Sequence, residues 1–149
     1  MENKTAIVYY SKHHGNTKKL LDAIAAENEV TLLDVTEQPE ADLEAYDRIG
    51  FASGIYYSSF AKQILAFARA RLPENRKVFY LYTHGAPTGS FLKAIREIAE
   101  EKHCTEIGEY RCRGFDTFGP FKLLGGIAKG HPDAEEIKGA AAFYRQLGK

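Results

Sequence analysis

Seven consecutive residues, Ser11-Lys12-His13-His14-Gly15-Asn16-Thr17, concentrate polar groups between an apolar run and a lysine-bearing amphipathic stretch. Ser11 and Thr17 offer hydroxyls, Asn16 an amide, and Gly15 lets the backbone come close to a ligand. A helix beginning at Asn16 or Thr17 adds unpaired backbone N–H groups and a partial positive charge at its start. Together these groups make a cup for a phosphate. The same residues also describe an ordinary N-cap by Asn16 with no ligand, and the local pattern alone leaves both readings open.

Other phosphate chemistries do not fit. A P-loop needs G-x-x-x-x-G-K-[ST], whereas Gly15 is followed by Asn-Thr-Lys. A dinucleotide fold needs G-x-G-x-x-G after its first strand, and a single glycine stands there. The later Leu124-Gly125-Gly126-Ile127-Ala128-Lys129-Gly130 has no strand before it. A phosphoryl-accepting receiver domain needs carboxylates where this chain has Tyr10-Ser11 and Ala52-Ser53-Gly54. The five histidines show neither H-x-x-x-H nor carboxylate-partner spacing, so no metal site is expected. Cys104 and Cys112 form no C-x-x-C pair. On one extended strand they would stand roughly 26 Å apart, beyond the ~7 Å reach of a disulfide, so both are expected as reduced thiols.

Positioning such a loop requires a rigid frame, and 149 residues suffice for one domain, 1–149, with a sizeable core. Twenty basic residues balance twenty acidic ones, so no net field draws the chain to nucleic acid or an anionic membrane. No apolar stretch reaches membrane-spanning length, and the first apolar run is too short for a signal peptide. A cytoplasmic location is expected.

Apolar runs alternate with segments of helical period. Thr5–Tyr10, Val30–Val35, Arg48–Ser53, Lys77–Tyr82 and, more weakly, Thr105–Cys112 read as strands. Asn16–Glu27, Phe60–Leu72 and Ser90–Glu101 read as helices, and Pro132 opens a last one with His131 in its cap. Continuous apolar strands alternating with helices predict a parallel sheet covered on both faces. In such a fold ligands bind beyond the carboxyl ends of the strands. Gly114–His131, with five glycines, three phenylalanines and a proline, fits neither period. A connection this long is either a flap packed over the sheet edge or a ligand or partner element.

Ser-x-x-x-Gly-Asn-Thr between a strand and a helix resembles the FMN-phosphate loop of the flavodoxins. The resemblance covers the whole chain, with further matches at Ser53-Gly54-Ile55-Tyr56, Gly114-Phe115-Asp116-Thr117, Gly119-Pro120-Phe121, Gly125-Gly126 and Lys129-Gly130-His131-Pro132. It implies an α/β flavodoxin-like three-layer sandwich with a five-stranded parallel sheet in the order 2-1-3-4-5. It also implies FMN as cofactor, held by three loops: Ser11, Lys12, His13, His14, Gly15, Asn16 and Thr17; Gly54, Ile55, Tyr56, Tyr57 and Ser58; and Thr83, His84, Gly85 and Ala86. Tyr56 or Tyr57 would stack on the flavin, and His84 would face it. No catalytic residue is implied, because the redox chemistry belongs to the cofactor.

The chain departs from the family in three ways. Its phosphate loop is one residue longer, and histidines replace small hydroxyl residues. No second glycine follows Gly54, which hinders a peptide flip favouring half-reduced flavin. Flavodoxins are usually acidic, and this chain is neutral. The resemblance therefore implies an FMN-binding electron-transfer protein exchanging electrons with a redox partner protein or a small-molecule donor or acceptor. Two alternatives stand beside it: a small FMN-dependent NAD(P)H:quinone-type oxidoreductase, and a module that keeps the fold without the flavin.

Overall fold

The computed structural model describes residues 4–10, 16–56, 59–84, 91–113 and 132–147. Strand β1 (Thr5–Tyr10) leads through helix α1 (Asn16–Glu27) to β2 (Thr31–Asp34) and β3 (Arg48–Tyr56). A two-residue β4 (Ser59–Phe60) precedes α2 (Lys62–Arg71), β5 (Lys77–His84), α3 (Lys93–Glu101), β6 (Thr105–Arg113) and α4 (Ala134–Gln146). Five strands pair in parallel in the order β2-β1-β3-β5-β6, and β4 turns back antiparallel on β3. Over the parallel strands this is the expected 2-1-3-4-5 order; β4 is an addition too short to carry a periodic signal.

Successive strand residues face opposite sides of the sheet, so each run feeds two cores. Val8, Ile49, Phe51, Val78 and Tyr80 pack with Ile64 and Phe67 of α2 and Ile95 and Ile98 of α3. Ile7, Ala52, Phe79 and Leu81 pack on the other side with Leu20, Leu21 and Ile24 of α1 and Ala140 and Tyr144 of α4. Gly50 lies opposite Phe79 in the β3–β5 register, and a Cβ there would stand 2.5 Å from the phenyl ring. The glycine is the space the ring occupies.

The element ends refine the sequence reading. Strand β3 continues through Gly54–Tyr56, expected as loop, because Gly54 pairs with Thr83 and Ile55 with Phe60. Strand β5 likewise takes in Thr83 and His84, which pair with Cys112 and Arg113. Helix α4 is capped by Asp133: its Oδ1 accepts the Glu136 N–H at 2.9 Å, and Glu136 Oε1 accepts the Asp133 N–H at 2.9 Å, while His131, expected in that cap, lies outside the described residues. That reciprocal pair satisfies two otherwise orphaned donors.

Two further ends show local chemistry. Helix α3 closes with His103 in the left-handed region at φ 57°. Its N–H reaches Glu100 O at 3.1 Å while the Cys104 N–H reaches Ala99 O at 3.0 Å, the paired bonds of a Schellman turn. The neighbouring Lys102 Nζ donates to Arg69 O at 2.9 Å and Leu72 O at 2.8 Å, capping the carbonyl end of α2. Cys104 and Cys112 are both free thiols.

In β6 the register slips by one. Val78 pairs with Glu106 but Phe79 with Gly108, leaving Ile107 as the extra residue of a bulge. Glu106 and Glu109 therefore reach the same side. Arg96 binds Glu106 through Nε at 2.7 Å and through Nη2 at 2.8 Å, and Glu109 at 3.1 Å.

Candidate functional site

The parallel strands end level with one another. Tyr10 of β1 pairs with Ser53 of β3, Gly54 with Thr83 of β5, and His84 with Arg113 of β6. This edge is where α1 begins. Of the residues expected to hold a ligand, the structure describes Asn16 and Thr17 at the head of α1, Gly54, Ile55 and Tyr56 in β3, and Thr83 and His84 in β5. Ser11, Lys12, His13, His14, Gly15, Tyr57, Ser58, Gly85 and Ala86 lie outside the described residues, as does Gly114–His131.

Thr17 and Thr83 meet across the sheet. Their Oγ1 atoms are 3.3 Å apart, and both residues are buried. One hydroxyl donates to the other, so one hydrogen of the pair is left to serve another acceptor. No acidic residue occupies the first turn of α1, and Lys18 is turned along the helix onto Asp22. That hydrogen bond to Asp22 raises the Lys18 pKa and keeps it cationic. A helix start with hydroxyl donors and no acidic residue in its first turn suits an anion.

His84 alternates to the opposite side of β5 from Thr83. Its ring stacks on Phe91 at 5.9 Å between centroids with 29° between planes, and stands 6.4 Å from the Tyr82 ring. Burial, reinforced by Glu109, raises the Tyr82 pKa and keeps the phenol neutral. The edge thus has a polar side at α1 and an aromatic side at α3, as a phosphate joined to a flat ring system would require.

Sequence reasoning missed the part played by Ser53. Its buried hydroxyl accepts the Ala61 N–H at 3.0 Å and donates to Gly54 O. One side chain thereby ties the end of β3 to the start of α2 around the β3–β4 turn. A serine at the close of an apolar run was the available signal, because a buried hydroxyl there needs a backbone partner.

Among the described residues no helix is long and apolar enough to cross a membrane. The arrangement is that of a doubly wound α/β protein with a ligand edge at its strand carboxyl ends. A flavodoxin-domain family model matches residues 7–103. An uncharacterized protein of Methanocaldococcus jannaschii is 36% identical over 146 residues, 97% of each chain. The chain belongs to the flavodoxin family. Among solved structures, a flavodoxin from the domain Archaea superposes with a TM-score of 0.65 at 16% identity, covering 97% of this chain and 99% of that one. Fusobacterium nucleatum flavodoxin bound to flavin mononucleotide gives 0.67 at 10% identity, covering 97% of each. Rubredoxin:oxygen oxidoreductase of Desulfovibrio gigas gives 0.71 at 12% identity, covering 98% of this chain and 35% of the other. At these identities the structures speak to fold.

Proposed function

We propose that this protein binds FMN at the carboxyl edge of its sheet and exchanges electrons with a redox partner in the cytoplasm. The observation that carries the reading is the buried Thr17–Thr83 hydroxyl pair under an acid-free helix start, at the level edge of a flavodoxin-family sheet. Ser11, Lys12, His13, His14, Gly15, Asn16 and Thr17 hold the phosphate with hydroxyl, amide and backbone donors. Gly54, Ile55, Tyr56, Tyr57 and Ser58 flank one side of the ring, and Thr83, His84, Gly85 and Ala86 the other. FMN, when bound, supplies the redox chemistry.

The protein's own part is to exclude water and orient the ring. Phe91 and Tyr82 back His84 with buried aromatic surface, which disfavours added negative charge nearby. Ser53 fixes the β3–β4 turn that meets the ring.

Purified protein should show flavin absorbance or acquire it when FMN is added, with quenching of flavin fluorescence at one equivalent. A preparation that stays colourless and leaves added FMN fluorescence unchanged would sink the reading. Steady NAD(P)H turnover by the pure protein would assign it instead to the oxidoreductases.

A further inference from the structure

Because the strands are parallel and each helix runs back between them, α1, α2, α3 and α4 all start at the sheet's carboxyl edge. Helix starts favour carboxylates and disfavour ammonium groups. Helix α4 follows that preference with Asp133, Glu135 and Glu136. Helices α2 and α3 do not: each opens on a lysine, Lys62 and Lys93, and neither has an acidic residue in its first turn. Both lysines are exposed. Arg111 of the edge strand β6, also exposed, pairs in register with Tyr82 of β5, whose side chain lies in the core under α2 and α3, which puts a third cation on that flank.

Carboxylates on the same flank stand back from the edge. Glu97 is a turn deeper on α3, and Glu106 and Glu109 are held by Arg96. Among the described residues, the carboxylates at the start of α4, Asp133, Glu135 and Glu136, lie on the other face of the sheet. With twenty charges of each sign, the chain has no net charge, so steering of a partner falls to local asymmetries such as this one. Packed helices stand about 8–10 Å apart, so these cations are spread too widely for one phosphate-sized ion. They suit a protein surface, whose contact patch is about 800 Å² per side.

We propose, on the strength of the redox reading above, that Lys62, Lys93 and Arg111 form a docking rim for the acidic face of a redox partner protein. The rim sets encounter rate and orientation beside the ring edge, and its lysines oppose the helix dipoles they sit on.

The test uses the full chain, isotope-labelled and titrated with an acidic ferredoxin or a basic cytochrome c while amide shifts are followed. With ferredoxin the amides of Lys62, Lys93 and Arg111 should shift at low salt and return at high salt; with cytochrome c they should stay in place. The K62E/K93E variant should weaken ferredoxin binding about tenfold and melt at a higher temperature, because carboxylates suit helix starts. Ferredoxin shifts confined to other surfaces, or binding unchanged in the variant, would overturn the rim. FMN titration of the same samples reads the redox proposal separately, since amide shifts need no flavin.

Discussion

Thr17 and Thr83 bring two hydroxyl hydrogens to a place where one is consumed by the contact between them. The sequence puts His13 and His14 just ahead of this helix, at positions where flavodoxins usually carry small hydroxyl residues. If one imidazole donates to the FMN phosphate, its protonated form binds more strongly, so affinity rises as pH falls through the histidine titration. Replacing both, as H13S/H14T, should weaken binding at pH 6 by about tenfold or more, the worth of a charge-assisted bond, and remove that histidine step. Equal affinities and equal pH profiles in fluorescence titrations would make the pair spacers. A different residue-scale effect belongs to Gly139 in α4. Tyr110 Oη donates to Glu136 O at 2.6 Å, and a Cβ on Gly139 would collide with that hydroxyl. G139A should therefore destabilise by about 1–3 kcal/mol despite alanine's better helix propensity. Adding Y110F should recover part of the loss, read as a coupling energy in urea denaturation.

The elements themselves were largely legible, because each strand is an apolar run and each helix carries a stripe. Their ends were less so. Thr83 and His84 look like loop residues by type, yet Thr83 is paired on both sides, with Gly54 and Cys112, and His84 with Arg113 of β6, which keeps them in β5. Two-residue β4 and the extra Ile107 have no periodic signature, since both are defined by the partner strand alone. The left-handed turn at His103 is equally silent, because no periodic or apolar signal there announces a positive φ. H103G should raise stability by about 0.5–1 kcal/mol through relief of that conformation, seen as a higher urea midpoint with unchanged slope. A lower midpoint would mean that the imidazole makes a stabilising contact of its own.

At the scale of the whole molecule, burial sets an alkaline limit. Desolvation raises the Cys112 thiol and the Tyr110 phenol each to about 12, and pushes Tyr80 up as well. In the unfolded chain these groups ionise near their ordinary values, about 8.5 for a thiol and about 10 for a phenol. The stability they contribute is therefore complete below those values and is lost as pH rises toward the folded ones. Urea midpoints should fall between pH 8 and pH 11, and less steeply in C112A/Y110F than in wild type. The polar half of the candidate site could be read from one loop, but its partner Thr83 is 66 residues from Thr17, and only the sheet order brings them together.

The bulge in β6 has a bearing on how relatives of this chain are compared. Glu106 and Glu109, three apart, share one arginine only because Ile107 is out of phase. A homologue without the extra residue should align with a single gap at that point. With that gap in place inward and outward residue types agree on both sides of it, because Thr105 and Glu106 stay opposite Lys77 and Val78 while Gly108 stays opposite Phe79. An alignment forced through without the gap would make a swap of faces look like sequence divergence.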